Sequence, residues 1–184
     1  MSDELTNVSY LTFALIGQGG ASPHDLVEMH RSAARIYYSV AASRLYAEPK
    51  RLEKLGYVKS VKRPGKTRER TFYTLTPKGL AALRSWALEP PTAPRIQNEA
   101  IVKLMSGDIV GNDEGLLEAL LTLRHEIDEQ EGRLVQSRER LEALPHRSRY
   151  LLLVENLGLR LLAAQREWLD DVERELRPAA ARGR

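Results

Sequence analysis

Leucine and isoleucine recur at helical spacing through the second half of this 184-residue chain. From position 116, alternate steps of four and three residues lead to position 144. Seven of the nine positions reached hold Leu or Ile, and the exceptions are Gln130 and Ser137. This spacing predicts one long helix, beginning at Asn112 or Asp113, with a coiled-coil-like apolar seam. A Pro-His turn then leads into a second long helix that ends at about residue 176.

The second long helix holds more leucine than one apolar seam can accommodate. Its predicted seam consists of Tyr150, Val154, Leu157, Leu161, Ala164, Trp168, Val172 and Leu176. Further leucines fall outside that seam, namely Leu151, Leu152, Leu153, Leu159 and Leu162. A single hairpin would leave this surplus exposed to water, so we predict that a second copy of the chain covers it. Residues 95–177 are therefore predicted to form a helical dimerisation domain, followed by a disordered tail at 178–184.

The first half of the chain contains shorter elements. Capping residues and apolar spacing predict one helix from Asn7 and a positioning helix from Ser22-Pro23. A recognition helix is expected to follow Ser43 and to end at Gly56, because glycine readily adopts a helix C-cap. Its apolar positions share one face: Leu45, Leu52 and Leu55. Pro49 falls inside it, which predicts either a separately oriented first turn or a regular helix that begins nearer Glu48.

Two β-prone runs follow the recognition helix, at residues 57–61 and 71–75, on either side of a Pro64-Gly65 turn. Helix, strand, basic turn and strand in this order predict a winged helix-turn-helix at residues 1–89, closed by a helix that starts at Thr76-Pro77. A proline-rich linker is predicted at 90–94. The expected fold class is mainly α, with a two-stranded β-wing and long antiparallel C-terminal helices.

Charge separates the two halves of the chain. Residues 44–70 contain ten Lys or Arg against three Glu. Residues 1–94 carry fourteen basic and eight acidic side chains, whereas residues 95–184 carry fourteen and seventeen. A basic front half and an acidic back half favour a DNA-reading domain joined to a domain that contacts protein.

Three strings resemble the PadR family of transcriptional regulators: LTFALIGQGGASPHDLV, SRLYAEPKRLEKLGYV and RERTFYTLTPKGLAALRSW. The resemblance runs from about Leu11 to Trp86 and extends as architecture through the C-terminal helices. It departs from the family pattern at Ser22-Pro23 and at Ala47-Glu48-Pro49. The resemblance implies a homodimer that binds an inverted repeat in double-stranded DNA. It further implies a repressor, released by a small hydrophobic or aromatic effector near the dimer interface.

By motif position, the resemblance assigns recognition-helix roles to Ser43, Arg44, Tyr46 and Lys50 and wing roles to Arg63, Lys66 and Arg68. The basic Arg51 joins these candidate DNA-binding residues. Two interpretations stay open for most of them. For Arg44, the alternatives are a bidentate hydrogen bond to guanine or a contact with phosphate alone. Tyr46 donates to a phosphate or packs against Tyr38. The wing cations enter a minor groove or follow the backbone. For Trp86 and Trp168, the alternatives are an effector pocket or ordinary core.

The sequence gives no sign of an enzyme or of a cofactor. It contains no cysteine, and its four histidines are scattered without metal-ligand spacing, so we expect them on the surface or at caps. The GQGG string at 17–20 follows a helix rather than a strand, which favours a turn over a phosphate loop. No export signal or membrane-length apolar run is visible, so we expect a soluble, cytoplasmic protein. The alternative function is a winged-helix module that binds protein and dimerises through its helical hairpin.

Overall fold

In the described part of the chain, four α-helices, a short 3₁₀ turn and one β-hairpin form the first of two compact units, Met1–Thr92. This computed structural model describes residues 4–32, 34–64, 69–94 and 96–177. The elements of the first unit are α1 (Asn7–Ile16), α2 (Pro23–Ser32), a 3₁₀ turn (Ala34–Ile36), α3 (Ala42–Lys54), β1 (Val58–Arg63), β2 (Arg70–Leu75) and α4 (Pro77–Ala87). The two strands pair antiparallel, with Val58 opposite Leu75 and Arg63 opposite Arg70.

The core of this unit combines residues of α1, α2, α3 and both strands, and α4 adds only partly buried side chains to it. Its buried members are Phe13, Ile16, Ala21, Leu26, Leu52, Val58 and Tyr73. The turn after α1 closes on the wing, because Ala21 and Tyr73 exchange backbone hydrogen bonds of 3.0 and 2.8 Å. Gly20 makes this approach possible: its φ is +77°, and a Cβ there would lie 2.4 Å from the Phe72 ring. The GQGG string at 17–20 is therefore a turn, and the residue that follows it pairs with β2 through backbone hydrogen bonds.

Helix α3 is continuous from Ala42 to Lys54, so both sequence-based expectations about Pro49 are wrong. The helix begins one residue before Ser43, and its N-cap is Ala41, which contributes no side-chain hydrogen bond. Pro49 is buried inside the unit together with Leu45 and Leu52. A proline can continue a helix where tertiary packing compensates for the backbone hydrogen bond it cannot donate.

The second unit, Ala93–Arg184, is entirely helical over the residues described. Its elements are α5 (Glu99–Met105), α6 (Gly107–Val110), α7 (Asp113–Leu121), α8 (Leu123–Glu142) and α9 (Ser148–Leu176). The long helix predicted from residue 112 or 113 to 144 is thus interrupted once, at Thr122, and ends at Glu142. The predicted tail at 178–184 lies outside the described residues. Within the described part of the chain, no helix has the length and apolarity required to cross a membrane.

The α7–α8 seam faces inward as predicted, whereas the predicted seam of α9 mostly faces outward. Buried seam positions on the first side are Leu116, Leu120, Ile127, Leu134 and Ser137. On α9 the buried positions are Glu155, Gly158, Leu162, Leu169 and Val172, and only the last belongs to the predicted seam. The exposed apolar positions of α9 form what we call the outer stripe: Tyr150, Leu153, Val154, Leu157 and Leu161.

Ion pairs between α8 and α9 fix the register of this antiparallel hairpin. Arg124 contacts Asp170 at 2.5 Å and Glu173 at 2.6 Å, and Arg166 contacts Asp128 and Glu131 at 2.6 Å each. Shifting one helix by a turn would place like charges opposite each other. The described residues are thus mainly helical with one two-stranded antiparallel sheet, and the predicted fold class is confirmed.

Candidate nucleic-acid interface

Helix α3 presents a polar face directly opposite its buried one. At 100° per residue, Ser43, Tyr46 and Lys50 fall together, on the side away from Leu45 and Leu52. All three side chains are exposed, Tyr46 by 48%. We call these three residues the reading face.

Arg44 and Arg51 lie on one flank of the reading face but differ in accessibility. Arg44 is exposed at the start of the helix. Arg51 is held against the protein: its Nη2 lies 2.7 Å from Glu48 Oε1 and 2.8 Å from Ser9 Oγ. Its side chain is 17% exposed and that of Glu48 12%. The sequence suggested Arg51 as a DNA contact, but the structure directs its guanidinium to α1.

The hairpin β1–β2 carries basic side chains next to one another on the wing. Arg63 and Arg70 are both exposed and directly opposite in the sheet. The Arg63 guanidinium lies 3.7 Å from the centre of the Phe72 ring, which limits where it can reach. Two like charges opposite each other destabilise a hairpin by themselves and are compensated when a polyanion binds. The predicted wing contacts Lys66 and Arg68 lie outside the described residues.

Sequence reasoning left out two wing cations that this geometry adds as candidates, Lys59 and Arg70. Both are exposed, and alternation along the strands places them on the same face of the hairpin as Arg63. The signal that identifies them is this cross-strand register, which requires the turn length and pairing to be known.

Burial by itself would raise the pKa of Glu48. This effect is outweighed by hydrogen bonds from Arg51 and Ser9 and by the charges of Arg51 and Arg44. The pKa of Glu48 therefore lies below its ordinary value of 4.5. A carboxyl whose pKa is lower in the folded state stabilises the protein above its unfolded pKa, and this contribution is lost as pH falls through the folded value.

Replacement of Glu48 by glutamine is therefore expected to destabilise the protein at pH 7 and to matter progressively less as pH falls below about 4.5. The measurement is urea unfolding of wild type and Glu48→Gln between pH 3 and 7. A difference in unfolding free energy that is constant over this range would contradict the ionic role of Glu48. The exposed pair Glu28–Arg31 offers the control, Glu28→Gln, for which we expect a smaller effect at every pH.

The two tryptophans lie in different units, and each has its own surroundings. Trp86 stacks on Tyr10 with ring centres 4.4 Å apart and planes 5° from parallel, and it is 40% exposed. Burial raises the pKa of Tyr10, as do the charges of Glu89 and Tyr57 to a smaller degree. Trp168 is half-buried on α9. Their joint role in an effector pocket stays a prediction.

The sequence predicts the four histidines on the surface or at caps, and one of them is buried instead of exposed. His30 is buried, and its Nε2 lies 2.7 Å from the Tyr38 carbonyl oxygen. The other three histidines are exposed. Among the residues that the structure describes, no three His, Asp or Glu side chains come together as a metal site requires.

The architecture matches solved structures, although the sequence matches no family model. No protein-family model matches the sequence, and no curated protein matches it. Bacillus subtilis PadR in complex with operator DNA matches with a TM-score of 0.75 and 19% identity, over 94% of this chain and 100% of that chain. A PadR-like transcriptional regulator from Bacillus cereus matches with a TM-score of 0.78 and 15% identity, over 96% and 99%. The chain has the PadR fold.

A further PadR-fold structure, that of Bacillus subtilis PadR in complex with p-coumaric acid, matches with a TM-score of 0.67. It is 21% identical to this chain and covers 92% of it, and 98% of that chain is covered. These matches span both units, so the PadR fold accounts for the helical second half as well as for the winged first half. The fold that the sequence resemblance implied is confirmed.

Proposed function

We propose that this protein is a PadR-family transcriptional regulator that binds a specific DNA sequence. The observation that carries this proposal is the exposed reading face of α3, opposite the buried face of the same helix and beside a basic hairpin. Serine, tyrosine and lysine on one helix face suit base-edge and phosphate contacts in a major groove. Support also comes from Bacillus subtilis PadR, whose structure of the same fold holds operator DNA.

The proposed functional form is a homodimer joined through the outer stripe of α9. Leu153 and Leu157 of that stripe are 64% and 51% exposed in the single chain. A second copy of the chain can cover this stripe with its own, because a two-fold interface uses the same surface on both subunits. Such a dimer presents two α3 helices to successive major grooves about 34 Å apart, which favours an inverted-repeat operator.

We further propose that the regulator is a repressor and that a small hydrophobic or aromatic molecule releases it from DNA. The support is the structure of Bacillus subtilis PadR with p-coumaric acid, together with Trp86 and Trp168 as candidate aromatic contacts in this chain. The quenching of tryptophan fluorescence by p-coumaric acid, with loss of bound DNA at the same concentrations, tests this role. Unchanged DNA binding at saturating ligand would contradict it for that compound.

An electrophoretic titration of the dimer tests sequence-specific binding, with the DNA upstream of its own gene compared with a random duplex of equal length. We expect at least a hundredfold preference for the upstream DNA and a steep loss of affinity with salt. Arg44→Ala is expected to weaken upstream binding about tenfold or more, because a charged contact at the helix start is lost.

The charge-matched control for this titration is Arg140→Ala, which removes one exposed cation from α8, outside the outer stripe. It should leave both affinities within about twofold, because the residue belongs neither to the reading face nor to the wing, and exposed charges that make no contact are screened by salt. Equal affinity of the wild type for the upstream and the random duplex would overturn the proposed specificity.

The rival interpretation is a winged module that binds protein instead of DNA. Two exposed cations in the described part of the wing argue against it, since Arg63 and Arg70 lie directly opposite each other and repel unless an anion lies between them. Reversing the charge at Arg63 and Lys66 distinguishes the two. DNA binding that survives this double reversal would favour the protein-binding module.

A further inference from the structure

The flank of α3 that faces α1 carries an interhelix network of three side chains, Ser9, Glu48 and Arg51. Ser9 Oγ donates to Glu48 Oε1 at 2.6 Å. Arg51 donates from Nε to Glu48 Oε2 at 3.0 Å and from Nη2 to both Glu48 Oε1 and Ser9 Oγ. We call this network the α1–α3 clamp. It is separate from the reading face.

The clamp is built more tightly than an ordinary surface ion pair. Ser9 is fully buried, and both charged side chains are less than one-fifth exposed. Two parallel N–H donors on one carboxylate fix its orientation as well as its distance. Arg51 Nη1 also lies 3.4 Å from the Glu4 carbonyl oxygen, so the clamp extends to the segment that precedes α1.

Ser9 itself is held by the start of its own helix. Its Oγ accepts a hydrogen bond from the Thr6 backbone N–H at 3.0 Å, as the reciprocal half of a capping box. The serine that Arg51 and Glu48 grip is therefore fixed relative to the α1 backbone. The clamp thus connects α3 to a rigid point and not to a free side chain.

Pro49 lies between the two charged members of the clamp along α3. A proline cannot donate the backbone hydrogen bond that the helix would make at that turn, so α3 has fewer internal restraints there than elsewhere. Glu48 and Arg51 attach the helix to α1 on either side of this proline. Tyr46 and Lys50 of the reading face lie in the part of α3 around Pro49. Any rotation of that part of the helix would therefore move both side chains.

On the basis of the proposed function, we propose that Glu48 and Arg51 are positioning residues, which set the orientation of the reading face through the α1–α3 clamp. Arg51 then serves specificity without touching DNA. Side chains that read bases must be held to within about 0.5 Å, which requires supporting hydrogen bonds of this kind. A phosphate contact by Arg51 would require it to leave Glu48 and Ser9, and a buried carboxylate would then lose its partner.

The sign of a charge change separates this role from simple electrostatics. Glu48→Gln removes one negative charge from a helix that faces DNA. Electrostatics alone therefore predicts tighter binding to any duplex. The clamp predicts weaker binding to the specific site, because glutamine cannot hold the Arg51 guanidinium as a carboxylate does. We expect the ratio of upstream to random-duplex affinity to fall about tenfold in Glu48→Gln, with random-duplex affinity equal to that of the wild type or higher.

A second variant, Arg51→Lys, keeps the charge but cannot form the paired contacts. If Arg51 binds phosphate, lysine substitutes for it and the affinity ratio stays near that of the wild type. If it positions α3, the ratio falls about as far as in Glu48→Gln. The full-length dimer is used throughout, and circular dichroism confirms that each variant is folded. Should Glu48→Gln fail to fold, Arg51→Lys carries the test.

The matched control is Glu28→Gln, which breaks an exposed Glu–Arg pair of the same spacing on α2. It should leave the affinity ratio unchanged. Ratios unchanged in Glu48→Gln or in Arg51→Lys would overturn the clamp proposal while leaving the proposed function intact. Equal binding of both duplexes by the wild type would overturn the proposed function, and the clamp proposal with it.

Discussion

Aspartate in place of Leu157 is expected to convert the proposed dimer into monomers and to weaken operator binding by about a hundredfold or more. Leu157 lies at the centre of the outer stripe of α9, half-exposed in the single chain. A carboxylate there would be buried without a partner when two stripes meet, which opposes association strongly. Loss of the dimer removes the second recognition helix, so the gain from simultaneous binding of two half-sites disappears. Light scattering after gel filtration gives the oligomeric state.

The matched control is Asn156→Asp, which adds the same charge one residue away on the same helix. Asn156 is exposed and lies 100° around α9 from Leu157, outside the outer stripe. This variant should stay dimeric and bind DNA like the wild type. A dimeric Leu157→Asp protein would contradict the outer stripe as the interface. A monomeric Leu157→Asp protein that retains full operator affinity would contradict the proposal that two recognition helices bind the operator together.

The two long helices show how far periodicity can be interpreted. The α7–α8 segment has one apolar face, and the positions predicted from its spacing, such as Leu120, Ile127 and Leu134, are buried. Helix α9 has two apolar faces, and the more regular one was assigned to the intrachain contact although it faces outward. Spacing identifies a face but does not name its partner. The predicted surplus of apolar surface was correct, and only its side was wrong.

The spacing of the predicted seam explains why Val172 is buried although Leu157 is not. The seam ends in consecutive steps of four residues, and each such step advances about 40° around a straight helix. These steps carry the line away from the outer stripe and towards Leu162 and Leu169 on the inner face. A seam that changes its step in this way does not follow one face along all of α9.

In the candidate site, the sequence predicts what depends on local spacing and misses what depends on distant partners. The reading face follows from Leu45 and Leu52, since apolar positions on one side leave the polar ones on the other. The engagement of Arg51 does not follow, because Ser9 lies 42 residues earlier in the chain. The continuity of α3 through Pro49 does not follow from local spacing either, because the burial of this proline depends on tertiary packing.

Gly79 has a role in the winged unit that its position in a helix conceals. It lies in the first turn of α4, and its backbone N–H donates to the Thr76 hydroxyl at 3.1 Å. That hydroxyl is itself 3.0 Å from the Tyr57 carbonyl oxygen, which also accepts the Thr76 backbone N–H at 3.0 Å. The start of α4 is therefore attached to the residue that precedes β1. This close approach leaves no room for a side chain, since a Cβ on Gly79 would lie 2.1 Å from the Tyr57 oxygen.

Gly79→Ala is accordingly expected to destabilise the winged unit by about 2 to 3 kcal/mol, as overpacking against backbone does. Helix propensity alone would give the opposite sign, because alanine is favoured over glycine by about 1 kcal/mol in a helix interior. The clash prevails because the obstructing atom belongs to the backbone and already accepts the hydrogen bond of the Thr76 N–H. Urea unfolding followed by circular dichroism measures the difference. Gly19→Ala is the control within the same unit, since a Cβ there would meet nothing within 4 Å, and it should be close to neutral. An equally stable Gly79→Ala protein would mean that α4 can move away from Tyr57 without loss, and that this contact does not hold the helix against the wing.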